Sequence, residues 1–429
     1  MAQHSAPSVD RPLQWVLLTL FLGYAITFSG RQLMAVAVEP MRIDFSLSDT
    51  QMGLVNGPFF AVAYALTALP MGQLASQVNR RLLIAVGLLA WGLTAVGIAW
   101  AHGLWMLLFA RLLHAVLEAG LTPASMSLVT DLAPPHRQAA AMGVLTAAPT
   151  LSAVASLALG GVLVGSLGWR PVFWGVALLA ILSAGICWIV LRDRPHATFP
   201  AVGRVIRMTV ESGRALLKNP RFRWLALAAG LNTLGGYSLA MWNAAFLVRT
   251  HGFSLADAGL LSGLGFGLPS ALGMMIGAML SDRFRPNESG WSFGVSCWGV
   301  GLGFVTAIVY FFWPSEVGVT LAGRVWPLGL VFGALTAFFS VWWTAETFSA
   351  AAKLGGDQAR ALSLAALSSM STLIGIGLGP VLVGMVSDLL ASLGLAHTLG
   401  PALAVSALAP LFSILAFLKL KPQTPGAHA

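Results

Sequence analysis

Apolar runs of about twenty residues recur from one end of this chain to the other, each long enough to cross a bilayer as a helix. In hydrocarbon every backbone N–H and C=O must find its partner within the protein, so such a sequence folds as a bundle of transmembrane helices. Composition agrees. Only 9% of the residues are charged, where a soluble domain would carry roughly a quarter. Cutting the chain at charged, proline and glycine-rich breaks predicts twelve spans, at 14–37, 52–75, 82–101, 104–130, 139–165, 170–191, 223–249, 256–281, 292–312, 325–350, 361–386 and 399–419. The expected fold class is an all-α integral membrane protein of twelve transmembrane helices in two six-helix halves.

The formal net charge of +9 does not point to nucleic acid, because the basic residues sit mostly at span ends. With both termini inside, 18 of the 24 Lys and Arg fall in inside segments. That asymmetry predicts cytoplasmic termini in a multi-pass protein of the inner (plasma) membrane. The opening stretch, Arg11 and then Leu13 to Thr27, has the look of a signal peptide. No small-x-small cleavage site follows and the apolar run resumes at Leu33, so an uncleaved first span is expected. Cys187 and Cys297 both lie in apolar runs and give neither a disulfide framework nor metal spacing. No metal or cofactor is expected, and the bilayer is the one obligatory partner of a chain read as a monomer.

The longest polar interruption, Arg192 to Arg223, separates an N-terminal half (1–191) from a C-terminal half (223–429). It reads as a basic cytoplasmic linker over 192–222. The halves repeat. Ser46–Leu54 (SLSDTQMGL) precedes the second span and Ser254–Leu260 (SLADAGL) the eighth. Each lies ahead of a span of the same direction that ends in a basic loop, the pattern of parallel repeats in a transporter.

Within the fourth span stands the stretch Arg111–Pro123, RLLHAVLEAGLTP. Arg111, His114 and Glu118 are spaced three and then four residues apart and share one helical face. A charge near the bilayer centre costs at least about 2.5–3.5 kcal/mol, so such a stripe faces a polar cavity or a partner charge. Arg31 in the first span is the expected partner of Glu118. If that pair forms in one conformation and breaks in another, protonation of Glu118 gates the change; otherwise it is a permanent structural pair. Arg111 suits substrate contact or a fixed backbone anchor equally, and His114 suits a proton relay or, more simply, a hydrogen-bonded side chain.

The chain resembles the major facilitator superfamily. The loop GQLASQVNRR (Gly72 to Arg81) looks like that superfamily's loop signature, and Arg111 with Ala115 like its fourth-span motif of arginine and a small residue. Within it the chain is most similar to the spinster-like branch, through Glu118–Ala124, Trp169–Phe173, Phe246–Gly252 and Gly377–Asp388. Organic-anion symporters share part of this pattern. The resemblance implies that spans one, four, seven and ten line a central cavity, and that Gly72, Ser76, Arg80, Arg81, Asp282 and Arg283 form cytoplasmic gate loops. Two positions depart from it. Gly30 stands where spinster-like proteins carry an acid before the first-span arginine, and Ser76 replaces the acid of the loop signature.

Cavity candidates in the seventh span are Asn232, Asn243 and Trp242; in the tenth, Trp343 and Glu346; and below Arg31, Tyr24 and Phe28. Amides and aromatics of this kind make a wall for an amphipathic ligand, or else interhelical bonds and interfacial anchors. The expected function is secondary active transport of a small or amphipathic, anionic organic solute by alternating access, with proton symport through Glu118. A symporter of sugar acids or carboxylates and a carrier of lysolipid-like molecules both fit. A polytopic membrane enzyme and a non-transporting receptor are the readings from other classes; no paired-Asp motif, HExxH or P-loop is present for the first.

Overall fold

The computed structural model describes residues 12–75, 78–191, 213–214, 216–284, 293–321 and 324–420. Ser76 and most of the 192–222 segment lie outside the described residues. Among those described, nine helices are long and apolar enough to span a bilayer. The first six crossings are Leu13–Asp44, Asp49–Asn56 continued by Pro58–Ala75, Arg80–Ala99, Leu104–Leu132, Gln138–Leu167 and Trp169–Val190. The second six are Pro220–His251, Leu255–Arg283, Gly294–Phe312, a broken tenth span, an eleventh ending at Ser392, and Leu399–Leu418. The seventh, and the tenth beyond its break, are the less apolar crossings.

Helix starts follow local chemistry. Ser48 and Gln51 form a reciprocal capping box ahead of the second span. Asn79 caps the third span by accepting from the Leu82 amide, and Asn219 with Pro220 opens the seventh. The seventh ends on Gly252, whose φ of 64° is the left-handed conformation that glycine adopts without penalty.

The tenth span differs from the expected 325–350. Residues Arg324–Pro327 pair antiparallel with Gly318–Leu321 as a short hairpin. Hydropathy does not separate a short apolar strand from the end of a helix. Helix then runs over Gly329–Phe339, breaks at Ser340–Trp342 and resumes from Trp343 to Ser371 without interruption. The polar stretch around Lys353–Arg360, expected as a loop, is helical. Polarity marks where a chain leaves hydrocarbon, and these residue types do not stop a helix. Single π-helical segments interrupt the eighth span at Leu261–Gly267 and the eleventh at Thr372–Ile376, the latter just before Gly377 and Pro380.

On the face opposite the chain termini the halves press together along two crossings. The second span meets the eleventh and the fifth meets the eighth. Both crossings are backbone-close. A Cβ on Gly161 would lie 2.6 Å from the Gly259 Cα, and one on Gly53 would lie 2.6 Å from the Pro380 carbonyl oxygen. Gly161, which has no evident role in the sequence, thus sits at the contact between halves; small residues let transmembrane helices approach this closely. Gly259→Leu forces a branched side chain into the fifth span's backbone. We expect it to hold that face open, measured as faster maleimide labelling of a cysteine at Thr50 in a background with Cys187 and Cys297 changed to serine.

Candidate functional site

The site grows from the charges that the first and fourth spans bring into the bilayer interior. Arg31 grips Glu118 with two bonds, Nη2 to Oε1 at 2.8 Å and Nε to Oε2 at 3.1 Å. Both side chains are buried. A two-pronged arginine–carboxylate pair is the geometry that best offsets the loss of water around both ions. The guanidinium is also roofed by aromatic rings, its Cζ lying 4.3 Å from the centroid of Phe60, 5.0 Å from Tyr64 and 5.2 Å from Phe28.

One and two turns before Glu118 stand His114 and Arg111, both wholly buried. Arg111 donates from Nε to the Val55 carbonyl at 3.4 Å and faces Phe60 at 4.8 Å. Among the described residues its two Nη atoms have no hydrogen-bond partner, nor do both ring nitrogens of His114, the Tyr237 hydroxyl or the Asn56 Oδ1. Buried polar atoms are rarely left so. These atoms gather around the Arg31–Glu118 pair and form a buried polar cluster between the first, second, fourth and seventh spans. Tyr237, from the seventh span, packs beside Phe60, Tyr64 and Ala115 and stands within electrostatic reach of both arginines. It is the C-terminal half's contribution to an otherwise N-terminal cluster.

The other predicted residues occupy different ground. Asn232 donates to Ser413 Oγ at 2.8 Å and to the Ala228 carbonyl. Asn243 donates to Ser262 Oγ at 2.9 Å and accepts from the Tyr310 hydroxyl at 2.8 Å. These are interhelical bonds within the C-terminal half. Trp242 is buried and donates to the Pro380 carbonyl. Trp343 packs in an apolar cluster with Phe222 and Phe417, and Glu346 accepts from the Ser296 amide and hydroxyl. Tyr24 meets Phe28 edge-on at 6.2 Å, one turn beyond the Arg31 cluster. The stripe of polar and aromatic residues read from the seventh and tenth spans is thus distributed among several packing contacts, because bulky aromatics and amides satisfy neighbouring helices as readily as a ligand.

Of the gate-loop residues, Arg80 is buried and pairs with Asp131 at 2.6 Å while donating to Ser127. Arg81 lies 4.1 Å from the Trp188 ring. Asp282 and Arg283 are exposed at the end of the eighth span, and Gly72 lies within the second-span helix.

Two features were silent in the sequence. The first is an ionic seal on the face opposite the termini. Arg249 of the seventh span reaches across the halves to Asp49 with two bonds, 2.8 and 2.9 Å, and to Glu39. From the eleventh span Asp388 accepts the Asp49 and Thr50 amides at 3.0 and 2.9 Å, a carboxylate at a helix N-terminus, and Ser387 donates to Asp49. The second is a cavity inside the C-terminal half, between spans seven, nine, ten and twelve. It encloses about 480 Å³ counted with its open mouth, and is lined by Asn232, the one predicted cavity residue among its walls, with Gly235, Gly299, Gly303, Phe304 and Leu403. The corresponding place in the N-terminal half, between spans one, three, four and six, holds only about 200 Å³.

Residues 20–317 match the model of the Major Facilitator Superfamily. The chain is 31% identical over 385 residues to an MFS-type efflux pump of Mycolicibacterium smegmatis, covering 90% of this chain and 86% of that protein. It is 24% identical over 278 residues to a probable L-galactonate transporter of Escherichia coli, 62% of this chain and 61% of that one. Among solved structures it superposes with a TM-score of 0.80, at 26% identity, on a bacterial homolog of the human lysosomal transporter Spinster in an inward-facing and occupied conformation, over 97% of this chain and all of that one. This chain belongs to the Major Facilitator Superfamily. It is a membrane transporter with the two-half fold of alternating access.

Arg249→Ala leaves Glu39 and Asp49 with Arg42 of their own half, 2.9 Å from Glu39 and 3.8 Å from Asp49, and removes the bonds that cross to the other half. The loss falls on the sealed conformation alone. We expect the interspin distance between labels at Thr50 and Leu389 to shift toward a longer population, measured by pulsed electron resonance.

Proposed function

We propose that the protein is a secondary active transporter of an organic anion, with its termini in the cytoplasm of a cell whose inner membrane it spans, here closed on the outer face. One observation carries the reading: two buried arginines and one carboxylate meet in the bilayer interior, and among the described residues the Arg111 Nη atoms have no acceptor. Two guanidiniums against one carboxylate leave a net positive pocket, which suits a carboxylate or phosphate by charge and by the fork geometry of arginine. The likeness to a probable L-galactonate transporter supports a sugar acid or similar carboxylate as the solute. The basic linker over 192–222 joins the 1–191 and 223–429 halves and leaves them free to rock about the pocket.

In this reading Glu118 couples the cycle to protons. Protonation releases Arg31, the first and fourth spans part, and the halves exchange which face they close. A second reading has its own support in the C-terminal cavity, whose mostly apolar lining suits the tail of a lysolipid-like molecule.

Thermal unfolding of the purified protein separates the two. A ligand that binds the folded state stabilises it by about 2.7 kcal/mol at a hundredfold excess over Kd. We expect small organic acids to raise the midpoint more than single-chain phospholipids or sphingoid phosphates, and Arg31→Ala to remove the rise; a response to lipids alone transfers the assignment to the second reading. In proteoliposomes, Glu118→Gln should lower accumulation driven by a pH gradient while counterflow of the same solute persists. Accumulation left intact in Glu118→Gln would defeat proton coupling through this residue.

A further inference from the structure

We propose that His114 is itself a proton-carrying residue of the anion site: it takes up a proton as the anion enters and returns it as the anion leaves. The inference rests on the anion-transport reading above and adds a second titrating group to it. Three observations carry it. His114 is completely buried, and among the described residues neither of its ring nitrogens has a partner. A histidine kept only for packing or structure would use at least one nitrogen in a hydrogen bond.

The fold has also made room for the ring in a way that an apolar side chain would not require. Gly30 of the first span lies against it; a Cβ at that position would stand 2.8 Å from His114 Cε1, 2.9 Å from Nε2 and 2.7 Å from Trp91 Cζ2. The Trp91 ring closes the other side edge-on, with centroids 4.4 Å apart. Gly30 and Trp91 thus hold the imidazole in one place, beside Arg31 and on the helical face that carries Arg111 and Glu118.

Third, Glu118 is fully engaged, each oxygen taken by Arg31, so the imidazole is the group in the cluster free to accept a proton without first breaking an ion pair. The charged and titratable groups that surround it are Arg31 from the first span, Arg111 and Glu118 on its own helix, Tyr64 from the second and Tyr237 from the seventh; the third span offers the Trp91 indole. Without a guest these sum to one positive charge. A monoanion brings the sum to zero and a dianion to minus one, so either guest removes positive charge that otherwise opposes a proton on His114. The step balances simply: a water-borne proton from the open side becomes the second N–H of the imidazole, crosses with the anion, and returns to water on the other side.

Calorimetry of binding in two buffers of different ionisation enthalpy counts protons taken up per anion bound. The probes are galactonate and tartrate, titrated into the detergent-purified full chain between pH 6.5 and 8.5. We expect the wild type to take up protons with the anion most strongly in the lower part of this range, and less as the pH rises. His114→Gln should bind with affinity within about tenfold and take up none, and Glu118→Gln should keep the uptake. Gly30→Ala, which leaves the histidine in place but pushes a methyl group against its ring, should shift the pH at which uptake is half-maximal.

Anion binding with an unchanged proton count in His114→Gln overturns this inference and leaves the anion reading intact. No heat and no thermal shift from either anion in the wild type overturns both. A His114→Gln protein that does not fold transfers the decision to Gly30→Ala, where an unshifted profile counts against the proposal.

Discussion

A charge that leaves water for hydrocarbon must take a partner with it, and the Arg31–Glu118 pair is the place where this chain meets that demand. The pair joins two helices far apart in sequence, fixes the face each turns inward, and surrounds itself with Phe28, Phe60 and Tyr64, whose ring faces accept a guanidinium in place of water. Arg111 and His114 follow from it, because once Glu118 faces the interior, residues one and two turns earlier must do the same. The pocket's net positive charge is then a consequence of helix geometry.

The C-terminal half answers differently. Its buried polar groups are amides and hydroxyls that close on one another, as Asn232 with Ser413 and Asn243 with Ser262 and Tyr310. It supplies a cavity and a single phenol, Tyr237, to a site whose charges all come from the other half. Two halves that repeat in sequence have therefore diverged in task, one holding charge and the other holding shape.

Twelve spans were legible because hydrocarbon imposes a length and an apolar content on each helix. The Arg31–Glu118 pairing was legible for a related reason: so few charges lie inside spans that partners are nearly determined by elimination. Aromatic residues carry no such signal. Phe60, Tyr64 and Tyr237 look like any apolar filling until the helices are placed, while Trp242 and Trp343, conspicuous in the sequence, turn out to be packing. Glu39, Asp49 and Arg249 appear in the sequence as ordinary span-end charges; that they meet depends on how the halves are set against each other, which no local pattern encodes.

The seal opposite the termini joins two unlike materials. At Gly161–Gly259 and Gly53–Pro380 it is backbone on backbone, indifferent to what is dissolved in the water nearby. At Arg249, Glu39 and Asp49 it is ionic and partly wetted, with Arg249 still 22% exposed along its side chain. Screening acts on the second and not on the first, over a Debye length of about 8 Å at physiological salt and about 3 Å at 1 M. Of the two materials, then, only the ionic clasp answers to the salt in the water around it, while the glycine contacts stay in register.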